Sequence, residues 1–121
     1  MTNQPAIMGV DIGTTGVRAV LYHPDGSALA NQSIEYALHT PQAAWAEQDP
    51  EEIYQATLRV IRLAVAQSGL APQDIAGLCF STVFHSLIPV NEAGHALYPM
   101  LIWADTRSQP YVEKIQATHD G

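Results

Sequence analysis

Apolar residues recur along this chain first with the period of a strand and later with that of a helix. Ala6 to Val10 is a short apolar run that stops at Asp11 and Gly13, as a buried strand entering a turn does. After Gly16, Val17, Ala19 and Leu21 alternate with Arg18, Val20 and Tyr22, and the β-branched content predicts a second strand. Pro24-Asp25-Gly26 marks a turn, because proline presets φ and glycine accepts a positive one. The segment SALANQSIEYAL predicts a third strand, so the chain opens as an antiparallel meander.

The period then lengthens. Following the loop HTPQAAWAEQ, Asp49 is a good N-cap, Pro50 suits the first helical position, and Glu52 gives a capping-box-like pattern. Ile53, Ala56, Val60 and Ala64 share one face at helical spacing, and Gly69 can close the helix in the left-handed conformation. Ile75–Phe80 is a continuous apolar run, the pattern of a strand buried on both faces. A hairpin-like pair is expected next, SLIPV and ALYPMLIW around the turn NEAG, and a last helix from near Ser108. The order is β-β-β-α-β with further strands and a helix, an α/β arrangement without the βαβ start of a dinucleotide-binding fold.

Bulk properties narrow the function. With 121 residues and 47% apolar content, the chain can bury the core of one modest domain. Its formal net charge is −7 and its five Lys and Arg residues are scattered, so no basic face offers itself to nucleic acid or an anionic membrane. A small-molecule ligand or a protein partner is expected instead. Cys79 is the one cysteine, too few for an internal disulfide or a cysteine zinc site, and the run IAGLCF around it predicts a buried thiol. The start MTNQPAI lacks the pattern of a secretion signal, and no apolar run reaches membrane-spanning length. The cytoplasm is the expected compartment.

The chemistry concentrates in GVDIGTTGVR, residues 9–18. A Walker-type loop needs Lys and a following helix, and a dinucleotide loop needs G-x-G-x-x-G and a following helix. Here there is no Lys, the glycine spacing is different, and VRAVLYH is a strand. A β-hairpin turn fits better. Gly13 and Gly16 let backbone amides and the Thr14 and Thr15 hydroxyls face a phosphate, with Arg18 adding charge. Asp11 would repel that phosphate unless a divalent cation stands between them, and magnesium is satisfied by one carboxylate, phosphate oxygens and water. The plainer alternative is an ordinary turn, in which Asp, Gly and Thr are common.

DIGTTGVR in a leading hairpin, followed by WAEQDPEEIY and later IWADTR, resembles the start of the FGGY carbohydrate kinases. The likeness runs from about Ala6 to about Lys114. It implies a ribonuclease-H-like, actin-type ATPase fold, and reads residues 1–121 as the N-terminal part of the first kinase domain. It also implies ATP and Mg2+, with Asp11 on the metal side and Gly13, Thr14, Thr15, Gly16 and Arg18 around the transferring phosphate. Positioning and charge neutralisation are most of what phosphoryl transfer asks of a protein.

On the acceptor side the Gln-Met-His-Gly stretch of the family's xylulose-type members corresponds to Val83-Phe84-His85-Ser86, in which only the histidine matches. The resemblance makes Phe84 and His85 substrate contacts, His85 through a sugar hydroxyl or, protonated, a carboxylate. Without it, a histidine satisfied by nearby backbone is the simpler reading. In IWADTR, Trp103 would stack on a sugar face and Asp105 would accept hydroxyl protons. Arg107 would reach substrate or fix the loop, two readings of equal weight. The structural alternative is a Trp closing the core beside a surface Asp–Arg pair. Trp45 and Glu47 are expected to anchor the helix entry.

Phe-His-Ser and Trp-Ala-Asp-x-Arg-Ser resemble the gluconate-kinase branch most, a xylulose-type or other ketose substrate is the alternative, and Arg-Glu in glycerol kinases at Phe84 and His85 disfavours glycerol. The family's proton-accepting aspartate is expected beyond residue 121, so the chain alone is expected to be an inactive N-terminal fragment. Exposed apolar runs at Leu78–Phe80 and Leu101–Trp103 would then make it self-associate. Two rival classes are a non-catalytic actin-fold nucleotide-binding protein and a stand-alone binding module.

Overall fold

Alternation in the first 35 residues builds a sheet with one apolar face. In the computed structural model, which describes residues 5–119, β1 (Ala6–Ile12), β2 (Gly16–Tyr22) and β3 (Ala28–Glu35) form the expected antiparallel meander. The register sets Met8 opposite Leu21, Val10 opposite Ala19, and Leu21 opposite Ala30, so these side chains share a face. All five are buried, whereas Ile7, Asp11, Arg18 and Tyr22 on the other face are exposed. Met1–Gln4, Asp120 and Gly121, where the expectations about a leader and the chain's end fall, lie outside the described residues.

The helix α1 (Pro50–Ser68) covers that apolar face. It starts at the predicted proline and ends before Gly69, whose φ of 70° is the left-handed value that closes a helix. Ala56, Val60 and Ala64 are its buried stripe, with Ile53 packed beside them. Burying a Val, Leu or Met side chain in such a core contributes about 1.5–3 kcal/mol. At the far end Gln67 Oε1 accepts from Asn31 N (2.9 Å) and Gln32 Nε2 (3.0 Å), tying the helix to β3.

The 3-10 turn Pro72–Asp74 leads into β5 (Ile75–Thr82), which runs parallel to β1 and gives the order β3-β2-β1-β5. Here one expectation is corrected. β5 is not buried on both faces: Leu78 is 43% and Phe80 54% exposed, and Cys79 is exposed too. Leu78 and Phe80 are in register with Met8 and Val10, on the face that α1 covers over β1–β3. The strand is nevertheless the sheet's edge, with α1 tied to the opposite edge at β3.

These elements make one compact unit, which takes the residues up to Ala37 and Glu51–Val83. A second unit takes Leu38–Pro50 and Phe84 onward. Within it β4 (Glu47–Gln48) pairs antiparallel with β6 (Met100–Leu101), bridged on either side by His39 and Leu87. Ala46, Glu47, Gln48, Met100 and Ile102 are buried there. The expected hairpin survives as single bridges, Val90 to Ala96 and Leu87 to Leu101, around a turn closed by Gly94 at φ 81°. Pro89 and Pro99 have no N–H for a ladder, which limits the pairing. Of the run Leu101–Trp103, Ile102 is buried and only Trp103 is widely exposed, so that patch is smaller than expected. The last helix, α2 (Gln109–His119), starts one residue after Ser108. No helix among the described residues is long and apolar enough to cross a membrane.

Candidate functional site

The turn between β1 and β2 is tight. Gly13 N–H donates to the Gly16 carbonyl (2.9 Å), leaving Thr14 and Thr15 as the two residues at the tip. Glycine at 16 is a steric necessity, since a Cβ there would stand 2.6 Å from the Ile34 carbonyl oxygen. A strand follows the turn, as expected, and not the helix of a Walker or dinucleotide loop.

Asp11 and Arg18 are register partners across the hairpin, so both side chains rise from the same face just below the turn. Both are exposed, and neither takes part in an ion pair among the described residues. The geometry therefore sets one carboxylate and one guanidinium beside a glycine turn bearing two hydroxyls. Magnesium fits this donor set, which gives it one carboxylate and leaves its other positions to phosphate and water. No group of three or more His, Cys, Asp or Glu that could hold a metal by itself occurs among the described residues.

Tyr36 was not singled out by the sequence. It follows β3, is buried in the core, and donates its phenol O–H to the Gly13 carbonyl (2.5 Å). Its backbone N–H donates to the Thr15 carbonyl (3.3 Å). Burial, and then the negative charge of Asp11, raise its pKa above the ordinary tyrosine value, so at neutral pH it is a donor.

In the second unit, Phe84 and His85 are both exposed, Phe84 at 74%, with their rings 4.4 Å apart. His85 has φ 58°, a left-handed backbone that costs a non-glycine residue about 1–2 kcal/mol. Strain of this kind clusters at ligand sites. Beside it, Ser86 Oγ is buried without a hydrogen-bond partner among the described residues.

Asp105 and Arg107 are drawn into a network. Arg107 Nε donates to both Asp105 oxygens (2.8 and 2.9 Å), and Nη2 donates to Asp105 Oδ2 (2.6 Å) and Glu47 Oε1 (2.7 Å). Asp105 also accepts from the backbone N–H of Ala46 (2.8 Å) and of Arg107 (3.1 Å). The Trp45 ring lies 3.9 Å from the Arg107 guanidinium carbon, a cation–π contact. The Arg107 hydrogen bonds hold the Asp105 carboxyl down at about pKa 2, and in return raise the Arg107 pKa. Trp103 sits in the turn that Asp105 N–H closes onto the Ile102 carbonyl (2.9 Å). Glu47 and Trp45, expected to anchor the helix entry, both hold Arg107.

Comparison with known proteins shows the family. A sequence model described as the FGGY family of carbohydrate kinases, N-terminal domain, matches residues 6–121. Gluconokinase of Bacillus subtilis is 37% identical over 95% of this chain and 22% of its own length. Glycerol kinase of Citrifermentans bemidjiense is 35% identical over 91% of this chain and 22% of its own. The crystal structure of a ligand-bound xylulose kinase from Lactobacillus acidophilus is 30% identical, with a TM-score of 0.86 over 94% of this chain and 23% of that one. The chain thus spans under a quarter of the length of the relatives it matches. The fold is the actin-like one of these kinases.

Proposed function

The chain belongs to the FGGY family of carbohydrate kinases through that family's N-terminal domain, and from that premise we propose that it serves in ATP-dependent phosphorylation of a hydroxyl on a sugar or sugar acid, with gluconate the favoured acceptor. The observation that carries the reading is the hairpin that sets exposed Asp11 and Arg18 in register below a Gly-Thr-Thr-Gly turn. Thr14, Thr15 and the backbone of Gly13 and Gly16 are assigned to the phosphate oxygens, and Arg18 to their charge. Asp11 would hold magnesium, which when bound neutralises charge on the phosphates. No residue of this chain is assigned as general base.

His85, Phe84 and Trp103 are assigned to the acceptor. His85 is an exposed polar side chain on a strained backbone, and the Phe84 and Trp103 rings are exposed. Asp105 and Arg107 serve the acceptor side as its frame, because each already holds several close partners. Gluconate rests on Phe84-His85-Ser86 and on Trp103-Ala104-Asp105-Thr106-Arg107-Ser108, since identity over 95% and 91% of the chain separates gluconokinase from glycerol kinase by only 37% against 35%.

The test is ATP consumption by the full-length gene product with gluconate, xylulose, ribulose and glycerol, wild type beside His85→Ala. Turnover with gluconate that is lost in the variant supports both assignments. Turnover with another sugar keeps the phosphate assignments and refutes gluconate. Nucleotide binding without turnover on any acceptor would favour a non-catalytic actin-fold protein.

A further inference from the structure

A turn made of two glycines and two threonines has little in itself to hold it in one shape. Without a Cβ, Gly13 and Gly16 allow peptide planes to rotate at low cost. A rotated plane would present a carbonyl oxygen, which repels a phosphate, where an amide is needed. Some outside group must fix the carbonyls. The Gly13–Gly16 hydrogen bond closes the turn but leaves the Gly13 and Thr15 oxygens to be oriented.

Both of those oxygens are held by one residue. Tyr36 donates its phenol O–H to Gly13 and its backbone N–H to Thr15, and so spans the turn. The residue is itself buried, at 8% exposure, in the core that it shares with Ala56, Val60 and Ala64 of α1. It is delivered by β3, whose Ile34 carbonyl approaches Gly16 so closely that no side chain fits between them. Core packing alone does not call for the hydroxyl, because phenylalanine fills the same volume. We propose that Tyr36 is a positioning residue for the phosphate turn, locking the Gly13 and Thr15 carbonyls so that the turn meets ATP in one shape. The inference rests on the kinase reading above.

Tyr36→Phe removes the hydroxyl and keeps the ring. Amide hydrogen exchange in the 121-residue chain should quicken at Gly13, whose N–H closes the turn onto Gly16, by about five- to tenfold, with Met8 and Val10 unchanged, as expected for one lost bond to a carbonyl. In the full-length protein the KM for ATP should rise by about the same factor, while the KM for the acceptor stays within about twofold. Val60→Ala, in the fully buried stripe of α1, is the control for general destabilisation. It should lower the melting temperature and leave both the turn exchange and the KM for ATP as in wild type. A Tyr36→Phe protein with wild-type KM for ATP overturns the proposal. So does one whose changes match those of Val60→Ala. A wild type that neither binds nucleotide nor consumes ATP shows instead that the kinase reading has failed, and the proposal falls with it.

Discussion

Replacing Gly16 with alanine puts a methyl carbon 2.6 Å from the Ile34 carbonyl oxygen, 3.2 Å from Glu35 Cα and 3.3 Å from the Ile34 carbonyl carbon. The first distance is roughly 0.8 Å inside the 3.4 Å at which ordinary contact begins. All three obstacles are backbone of a paired strand, so no side chain can rotate away, and β3 must move off β2. Overpacking of this kind costs about 1–3 kcal/mol. Alanine recovers about 0.4–1 kcal/mol by restricting the unfolded chain, leaving a net loss of about 1–2 kcal/mol. At a urea dependence of about 1.5 kcal/mol per molar, the unfolding midpoint should fall by about 1 M. Two other glycines, Gly77 in β5 and Gly13 in the β1–β2 turn, calibrate the measurement. At Gly77 a Cβ meets nothing within 4 Å, so Gly77→Ala should hold or raise the midpoint. At Gly13 it meets the Gly16 oxygen at 3.2 Å, so Gly13→Ala should fall between them. Urea titrations with a common slope read the order directly. If Gly16→Ala is as stable as Gly77→Ala, the close approach of β3 to the β1–β2 turn is not real.

Three further outcomes follow from the same geometry. His85→Gly should be more stable than His85→Ala by about 1 kcal/mol, because only glycine takes φ 58° without strain; equal thermal midpoints would refute the strained backbone. The 121-residue chain alone should self-associate through the β5 edge, where Leu78 and Phe80 are exposed, and Phe80→Lys should reduce this. Sedimentation velocity checks it, and a concentration-independent monomer would count against it. Asp105, lowered to about pKa 2 by Arg107, lends stability that is complete above its ordinary value of 3.8 and lost as pH falls through 2. The difference in melting temperature between wild type and Asp105→Asn should therefore be constant above pH 5 and shrink toward pH 2.

Much of the first unit was legible because its signals are local. Val17, Ala19 and Leu21 alternate with polar or half-buried neighbours, Pro50 and Gly69 bound the helix, and the turn's glycine spacing excluded the helix-forming phosphate loops. The burial of β5 was misread because IAGLCF reports hydrophobicity and not neighbours. A strand at an edge and one in mid-sheet have the same composition, and only the pairing order tells them apart. Tyr36 escaped notice because its partner at Gly13 is 23 positions away and is a carbonyl, which every residue possesses. The Arg107 network was half legible. Asp105 and Arg107 are two residues apart and suggest a pair, but Glu47 is 60 positions distant.

The two sets of residues are held by different physics, and this decides how each should fail. The β1–β2 turn is stiffened by neutral hydrogen bonds from Tyr36 and by backbone packed against Gly16. None of these changes charge below pH 10, given the raised tyrosine pKa. The segment bearing Trp103 is held by Asp105 and Arg107, whose side chains are 5% and 20% exposed. Screening by salt acts weakly on such a sheltered pair, so salt should disturb it less than protonation of Asp105. Acid should therefore loosen the Trp103 segment while the turn at Gly13–Gly16 keeps its hydrogen bonds. Amide exchange near pH 1.5, below the lowered Asp105 pKa, would separate the two, with protection lost at Arg107 and Ala46, both donors to Asp105, and retained at Gly13. Loss at all three together would mean that one common opening governs both sets.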